Sequence, residues 1–282
     1  MIKFESVSYS IKSKTLVEQI SLTIPRGNVT VLLGPNGAGK STCLKLACGE
    51  YRPTTGSIQL GNKFLQHLTP QEKATSHAVV SQSSSLGFPF PSFEVVLMGR
   101  MPHNKYTTPA DTKIAWAAME RVGVTHLAAQ AYTTLSGGEQ QRVHLARALA
   151  QIWDESKNNT PRYLFLDEPT ASLDLQYQHS ILQLAKSMAA DGVGVLIVLH
   201  DLNLAAQYAD RVGLMANGRL QVLGQPDEVL TAENIREVFS VHTCISRHPQ
   251  HPCPLIVPLH PVVHPPLNDH SSHTNTLTVP SS

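Results

Sequence analysis

The stretch Gly34-Pro-Asn-Gly-Ala-Gly-Lys-Ser41, termed the 34–41 loop below, decides the fold of this chain of 282 residues. It fits the pattern G-x-x-x-x-G-K-[S/T], in which glycines let successive backbone N–H groups turn inward around an anion. Residues 28–33 are an apolar, β-branched run that predicts a buried strand, and residues 41–48 predict a helix that ends at Gly49. This order predicts a phosphate-binding site, because the helix N-terminus adds positive potential.

Nine consecutive residues are the candidate phosphate-binding residues: Gly34, Pro35, Asn36, Gly37, Ala38, Gly39, Lys40, Ser41 and Thr42. Lys40 is predicted to reach the outer phosphates of a nucleotide, and the Ser41 hydroxyl is predicted to bind Mg²⁺. The alternative is a glycine-rich turn without a ligand. The position of the loop between a predicted strand and a predicted helix disfavours that alternative.

Two further apolar runs, Tyr163-Leu-Phe-Leu166 and residues 193–199, lack polar alternation and are each followed by helical patterning. Such strands, separated by helices, indicate an α/β protein with a parallel sheet covered on both faces. The first run ends in Asp167-Glu168. Asp167 is predicted to bind Mg²⁺, usually through water, and Glu168 to accept a proton from an attacking water. Acidic residues often end strands, so the functional assignment of this pair depends on the presence of the 34–41 loop in the same chain.

A second glycine-containing stretch, Leu135-Ser-Gly-Gly-Glu139, precedes an amphipathic helix predicted over residues 140–151. Its serine and glycines are suited to a second anion site at a helix N-terminus. Spacing alone also allows an ordinary helix cap, and both interpretations stay open from the residues themselves.

Composition limits the classes of function. Hydrophobic residues make up 41% of the chain and the net charge is +1, so the sequence has no basic footprint for nucleic acid. The longest strongly apolar run, 193–199, is far shorter than the roughly 20 residues that span a bilayer. The start lacks the pattern of a secretory signal, and four cysteines do not form a disulfide framework. We therefore expect a cytoplasmic protein in which Cys43 and Cys48 are small buried hydrophobes.

The order of these segments predicts the organisation of the chain. Residues up to Pro25 alternate as strands do, and residues 87–150 are predicted to form an inserted helical subdomain. From His242 onward the chain holds seven of its 14 histidines and eight of its 19 prolines. Such proline density disfavours helices and central strands, so we predict one domain over residues 1–240 and a loosely structured tail over 241–282.

The motifs together resemble the nucleotide-binding subunits of ABC transporters, and the resemblance covers roughly residues 1–240. It implies a P-loop NTPase (RecA-like) core, an N-terminal antiparallel β-subdomain and an inserted helical subdomain. It also implies roles for residues whose type alone is uninformative. Tyr9 would stack on adenine, Gln82 would touch Mg²⁺ and the attacking water, and His200 would contact the γ-phosphate. The remaining implied nucleotide contacts cross the dimer interface: Ser136, Gly137, Gly138 and Asp174.

Further stretches are similar to the ATP-binding subunits of bacterial haem uptake systems: 84–96, 99–103, 199–210 and 251–255. Importers of iron-siderophores and vitamin B12 share part of this pattern and remain the alternative. The resemblance implies ATP and Mg²⁺ as cofactors, a homodimer, two membrane permease subunits, a periplasmic substrate-binding protein, and a place on the cytoplasmic face of the inner membrane. Residues 82–103 are the predicted docking surface for the permease, because they join the catalytic core to the helical insertion; a plain connecting loop is the alternative.

Two other classes of protein are less consistent with the sequence. A soluble ABC ATPase of translation or DNA repair usually carries two cassettes or a coiled-coil insertion, and a phosphate-binding module without turnover would not need Glu168 and His200. In the tail, His248-Pro-Gln-His251-Pro-Cys253 raises the hypothesis of a metal or haem site, since imidazole and thiolate are suitable ligands. We favour the alternative of a proline-broken terminus with unrelated histidines.

Overall fold

The computed structural model describes residues 1–81, 87–153, 161–171 and 173–262. Its strands are β1 (Ile2–Ile11), β2 (Lys14–Ile24), β3 (Val29–Leu33), β4 (Thr55–Leu60), β5 (Lys63–Phe64), β6 (His77–Val80), β7 (Tyr163–Asp167), β8 (Gly194–Val198), β9 (Arg211–Ala216), β10 (Arg219–Gly224), β11 (Val241–Arg247) and β12 (Pro254–Pro261). Its α-helices are α1 (Lys40–Ala47), α2 (Pro70–Ser76), α3 (Ser92–Leu97), α4 (Pro109–Val122), α5 (Gly137–Gln151), α6 (Leu175–Ala190), α7 (Leu202–Tyr208), α8 (Pro226–Val229) and α9 (Ala232–Phe239). In this part of the chain no helix is long and apolar enough to cross a membrane.

The central sheet has the strand order β10-β9-β3-β8-β7-β6, and all its pairs are parallel except β9 with β10. Every residue of β3 and of β8 is buried, as expected when helices cover both faces of a parallel sheet. This burial explains why neither strand alternates apolar with polar residues. The predicted α/β class with a parallel core is confirmed.

A second, antiparallel sheet has the order β2-β1-β4-β5. The alternating residues of β1 and β2, such as Phe4 and Leu22, are buried against one face of α1. Cys43 and Cys48 of α1 are buried in the same cluster, as the sequence predicts. Helix α1 therefore lies between the two sheets and contacts β2 on one side and β7 and β8 on the other.

The segment between β6 and β7 carries α3, α4, α5 and short 3-10 turns. The standing of residues 87–150 as a separate subdomain stays a prediction. One buried ion pair joins its parts, because Arg100 Nε lies 3.0 Å from Asp111 Oδ1 and both side chains are almost fully buried. Burial alone would raise the pKa of Asp111, but hydrogen bonds from Thr108, Arg100 and Asn104 outweigh burial and hold that pKa well below its usual value.

The prediction of a loosely structured tail from residue 241 is wrong for residues 241–261. They form the antiparallel hairpin β11–β12, in which Ile245 pairs with Ile256. Proline lacks a donor for the ladder, but a two-stranded hairpin consists only of edges, and edge strands tolerate proline where the N–H would face outward. The burial of Ile256 fixes the hairpin to the main core. Residues 263–282 lie outside the described part of the chain.

Replacing Asp111 with alanine is expected to destabilise the protein by about 3–5 kcal/mol, because it leaves the buried Arg100 guanidinium without its carboxylate. Chemical denaturation at pH 7 measures the loss. Glu120→Ala, on the exposed face of the same helix, is the matched control and should stay within about 0.5 kcal/mol of the wild type.

The depressed pKa of Asp111 also fixes a pH dependence. The stabilisation is complete above the unfolded carboxyl pKa of about 4 and declines as the pH falls towards the folded pKa. A loss below about 1 kcal/mol at pH 7 for Asp111→Ala would contradict the structural role of the pair.

Candidate active site

The 34–41 loop connects the end of β3 to the first turn of α1. Gly34 has a φ of 153° and Gly39 a φ of 96°, both in the region that favours glycine. A Cβ at Gly34 would lie 2.1 Å from the carbonyl oxygen of Met215, and one at Gly39 would lie 2.7 Å from that of Leu16. These two positions therefore need glycine both for conformation and for space.

Lys40 is 5% exposed, and its ammonium group is folded over the loop. Its Nζ donates hydrogen bonds to the carbonyl oxygens of Gly34, at 2.8 Å, and Pro35, at 3.0 Å. Burial lowers the pKa of Lys40, while the nearby charges of Glu168 and Asp167 oppose that shift. The arrangement places a cation directly at the loop, where it can contact a bound phosphate group.

Ser41 and Asp167 meet across the end of the central sheet. Ser41 Oγ donates a hydrogen bond to Asp167 Oδ1 at 2.9 Å. Burial raises the pKa of Asp167. A hydroxyl and a carboxylate are the hard oxygen donors that suit Mg²⁺, and no soft ligand is present in this pair. The two residues therefore fit the predicted metal site.

Glu168 and His200 form the second contact at this edge. His200 Nε2 lies 2.7 Å from Glu168 Oε1, and the side chains are 45% and 19% exposed. Glu168 follows β7, has a φ of 51°, and donates its backbone N–H to the carbonyl oxygen of Val198 in β8. A non-glycine residue in this conformation costs on the order of 1–3 kcal/mol and is held only by its surroundings. The Glu168 backbone is therefore fixed at the end of β7, and its carboxylate lies beside an imidazole and is partly exposed to solvent.

A cavity of about 400 Å³ lies over the loop. Glu168 and the predicted residues Asn36, Gly37, Ala38, Gly39, Lys40, Ser41 and Thr42 line it. Its wall also contains residues that sequence reasoning missed: Lys14, Thr15, Leu16, Asn217 and Gly218. The dipeptide Asn217-Gly218 is a typical turn signal between two strands, but nothing in the sequence indicates that this turn packs against the loop.

The N-terminus of α5 is capped by side chains of the same chain. Ser136 is the N-cap, and the Glu139 carboxylate accepts hydrogen bonds from the Ser136 backbone N–H at 2.8 Å and from its hydroxyl at 2.7 Å. Gly137 and Gly138 form the first turn. Ser136, Gly137 and Gly138 are not among the described residues that line the cavity over the 34–41 loop. Within one chain this stretch is therefore an ordinary helix cap, and its predicted contact with nucleotide stays a prediction.

The other residues implied by the resemblance are placed separately. The Tyr9 ring stacks on Tyr51, with centroids 4.8 Å apart and planes inclined by 12°, and it is not among the described lining residues. Asp174 caps α6 by accepting a hydrogen bond from the Tyr177 backbone N–H. Gln82 lies outside the described residues. The roles of these three residues stay predictions.

The histidines of the hairpin do not form a metal cluster. His248 Nδ1 accepts hydrogen bonds from the backbone N–H groups of Gln250 and His251, and Cys253 is buried. Within the described ranges no group of three or more histidine, cysteine or acidic side chains is arranged to hold a metal ion. The spacing of His248, His251 and Cys253 therefore gives no metal site in the structure.

Comparison with known proteins bears directly on this site. A family model for ABC transporters matches residues 17–171, more than half of the chain. The hemin import ATP-binding protein HmuV of Gloeobacter violaceus is 52% identical over 260 residues, covering 92% of this chain and 94% of that protein. HmuV of Pseudomonas aeruginosa is 45% identical over 257 residues, covering 91% and 99%.

Solved structures agree with this result. An ABC transporter assigned to the metal-chelate type, in an inward-facing conformation, has a TM-score of 0.76 at 28% identity, covering 92% of this chain and 97% of the other. A dimeric ATP-binding cassette in a post-hydrolysis state, bound to ADP and Pi, has a TM-score of 0.69 at 27% identity, covering 80% and 99%. The chain belongs to the ABC transporter family. Within it, the chain is an ATP-binding subunit with the ABC ATPase fold, as the motifs predict.

Replacing Glu168 with glutamine is expected to leave ATP affinity within about threefold of the wild type and to lower kcat by about 10²–10⁴, because the amide cannot accept a proton from water. A coupled phosphate-release assay and a fluorescent-nucleotide titration measure the two quantities. Glu237→Gln, on the exposed surface of α9, is the control and should hydrolyse ATP normally. Turnover at the wild-type rate by Glu168→Gln would show that another group acts as the base.

Proposed function

We propose that this chain is the ATP-binding subunit of a haemin importer, which hydrolyses ATP to ADP and phosphate to drive uptake through a separate membrane permease. The observation that carries the ATPase assignment is the convergence of three groups at one sheet edge. These are the Lys40 ammonium, the Ser41–Asp167 pair and the Glu168–His200 pair. The residues proposed to bind the nucleotide and those proposed to hydrolyse it therefore lie at the same sheet edge.

The chain's own residues divide the work of hydrolysis. The backbone N–H groups of the 34–41 loop and Lys40 bind the phosphates and stabilise their charge. Ser41 and Asp167 would hold Mg²⁺, which neutralises charge on the outer phosphates when it is bound. Glu168 accepts the proton of the attacking water, and His200 orients the Glu168 carboxylate and faces the terminal phosphate. Gln82 would complete the geometry around that water.

The active unit is proposed to be a head-to-tail homodimer. The N-terminus of α5 in one copy would face the γ-phosphate held by the 34–41 loop of the other. Backbone N–H groups at the first turn carry a partial positive charge that an anion satisfies. ATP therefore stabilises the closed pair, and loss of phosphate removes the shared anion and lets the pair open. In the same proposal Tyr9 stacks on adenine, and Asp174 lies at the interface between the copies.

The transported substrate is inferred from the relatives. The proteins that match over nine-tenths of the chain are named hemin import ATP-binding proteins, and an importer of iron-siderophores or vitamin B12 is the alternative. The chain would act on the cytoplasmic face of the inner membrane with two permease subunits and, indirectly, a periplasmic substrate-binding protein. Residues 82–103 would dock on the permease, and exposed apolar side chains in their described part, Phe88 and Met101, support that role.

Mixing two inactive variants tests the shared site. Lys40→Ala removes the phosphate cation, and Gly137→Asp places a carboxylate where the γ-phosphate of the partner copy would bind. A Cβ at Gly137 meets nothing within 4 Å, so the second variant should fold. Head-to-tail pairing gives the mixed dimer one intact site, so the mixture should hydrolyse ATP at least about tenfold faster than either variant alone. If each chain held a complete site, the mixture would stay as inactive as its components.

Growth of cells tests the substrate. Deleting the gene should abolish growth with haemin as the sole iron source and leave growth on a ferric siderophore unchanged. The wild-type gene should restore growth and the Glu168→Gln gene should not, because import needs repeated hydrolysis. Loss of siderophore-dependent growth, with haemin use intact, would transfer the proposal to the alternative substrate.

A further inference from the structure

The β11–β12 hairpin has no part in the function proposed so far, yet it contacts the helix that begins beside His200. Helix α7 starts two residues after His200, and Asp201 between them is its N-cap. Asp201 Oδ1 accepts hydrogen bonds from the backbone N–H groups of Asn203, at 2.8 Å, and Leu204, at 2.9 Å. The turn that carries His200 is therefore continuous with the first turn of α7.

The first turn of α7 also lines a second cavity, separate from the one over the 34–41 loop. A cavity of about 270 Å³ beside Glu168 is lined by His200, Asp201 and Leu204, as well as by residues that follow β7. A displacement of the first turn of α7 would therefore move one side of the space in which His200 meets Glu168. On the sheet side, Leu199 donates its N–H to the Leu32 carbonyl at 3.1 Å, so the preceding residue is fixed by β3.

Asn203 connects this first turn to the hairpin. Its Nδ2 donates to the carbonyl oxygen of Ile256 at 3.1 Å, and its Oδ1 accepts from the Ile256 N–H at 2.8 Å. The Asn203 side chain thus bonds to both the N–H and the carbonyl oxygen of one residue of β12. This pair of bonds fixes both the distance and the orientation between the first turn of α7 and the hairpin. Ile256 is 2% exposed and belongs to the main core, so it is a firm attachment point.

The hairpin is itself anchored apart from α7. Its strand β11 packs against α9, and Val262, which follows β12, donates its N–H to the carbonyl oxygen of Ser240 at 2.8 Å. Gln207, one turn after Asn203 on the same helix face, makes a second contact, because its Nε2 lies 3.2 Å from His251 Nε2. The hairpin is therefore attached to the rest of the protein independently of α7 and can hold α7 in place.

We propose that the hairpin holds the first turn of α7 in place and thereby positions His200 against Glu168, with Asn203 as the positioning residue. The inference rests on the proposed function, in which His200 orients the Glu168 carboxylate. A positioning role predicts a defect in the rate of hydrolysis rather than in nucleotide binding, because Asn203 and the hairpin are not among the described residues that line the cavity over the 34–41 loop.

Asn203→Ala removes both hydrogen bonds to Ile256. It should lower kcat about tenfold, as expected for a small displacement of a catalytic group, and change the Kd for ATP by less than about twofold. Gln207→Ala is the matched control, since it removes a contact with the same hairpin one turn further along. Its kcat should stay within about twofold of the wild type.

A double-variant cycle separates positioning from general destabilisation. Single-turnover hydrolysis is measured for the wild type, Asn203→Ala, His200→Ala and the double variant, each with its thermal unfolding transition. If Asn203 acts through His200, the double variant should be no slower than His200→Ala alone. A merely structural role would make the two losses multiply. Should Asn203→Ala fail to fold, Asn203→Asp, which keeps the acceptor for the Ile256 N–H, replaces it in the cycle with a smaller expected loss.

Three results would each overturn the positioning role and leave the ATPase assignment intact. They are a wild-type kcat for a folded Asn203→Ala, a loss of ATP affinity as large as the loss of kcat, and losses that multiply in the double variant. Full activity of His200→Ala would overturn the assigned role of His200 and the positioning proposal together, and the single variant detects that outcome before the cycle is completed.

Discussion

Parallel pairing of β3, β8 and β7 is the constraint on which the site depends. The carboxyl ends of neighbouring parallel strands share one edge of a sheet, about 4.8 Å apart from strand to strand. At that edge β3 leads into the phosphate loop, β7 ends at Asp167 and is followed by Glu168, and His200 lies two residues after β8. The strand pairing thus brings the loop together with a carboxylate pair more than 100 residues further along the chain and with His200, which follows that pair by 32 residues.

This constraint also explains what the sequence predicts well. Uninterrupted apolar runs are typical of strands buried on both faces, so β3, β7 and β8 are predicted to within one or two residues. Strand polarity then places Lys40, Asp167 and Glu168 at one edge without knowledge of any contact, whereas the role of His200 is indicated by the resemblance to ABC transporter subunits. At this site the apolar pattern of the individual strands and the parallel order of the sheet indicate the same arrangement.

Contacts between separate sheets are less predictable. Leu16 and Gly218 reach the cavity only because the antiparallel sheet packs against the turn between β9 and β10, where the Glu18 N–H donates to the Gly218 carbonyl at 2.8 Å. No period or motif in either stretch encodes that packing. The hairpin β11–β12 was missed for a different reason, since proline density excludes central strands but leaves edge strands available.

The burial of α1 has a consequence for the chemistry of this protein in solution. Burial raises the pKa of the Cys43 thiol to about 12 and that of Cys48 to about 11, so neither forms the nucleophilic thiolate at neutral pH. Cys253 is also buried, whereas Cys244 on β11 is exposed. Maleimide dyes should therefore label the native chain selectively at Cys244, giving a fluorescent reporter on the hairpin with every natural cysteine retained.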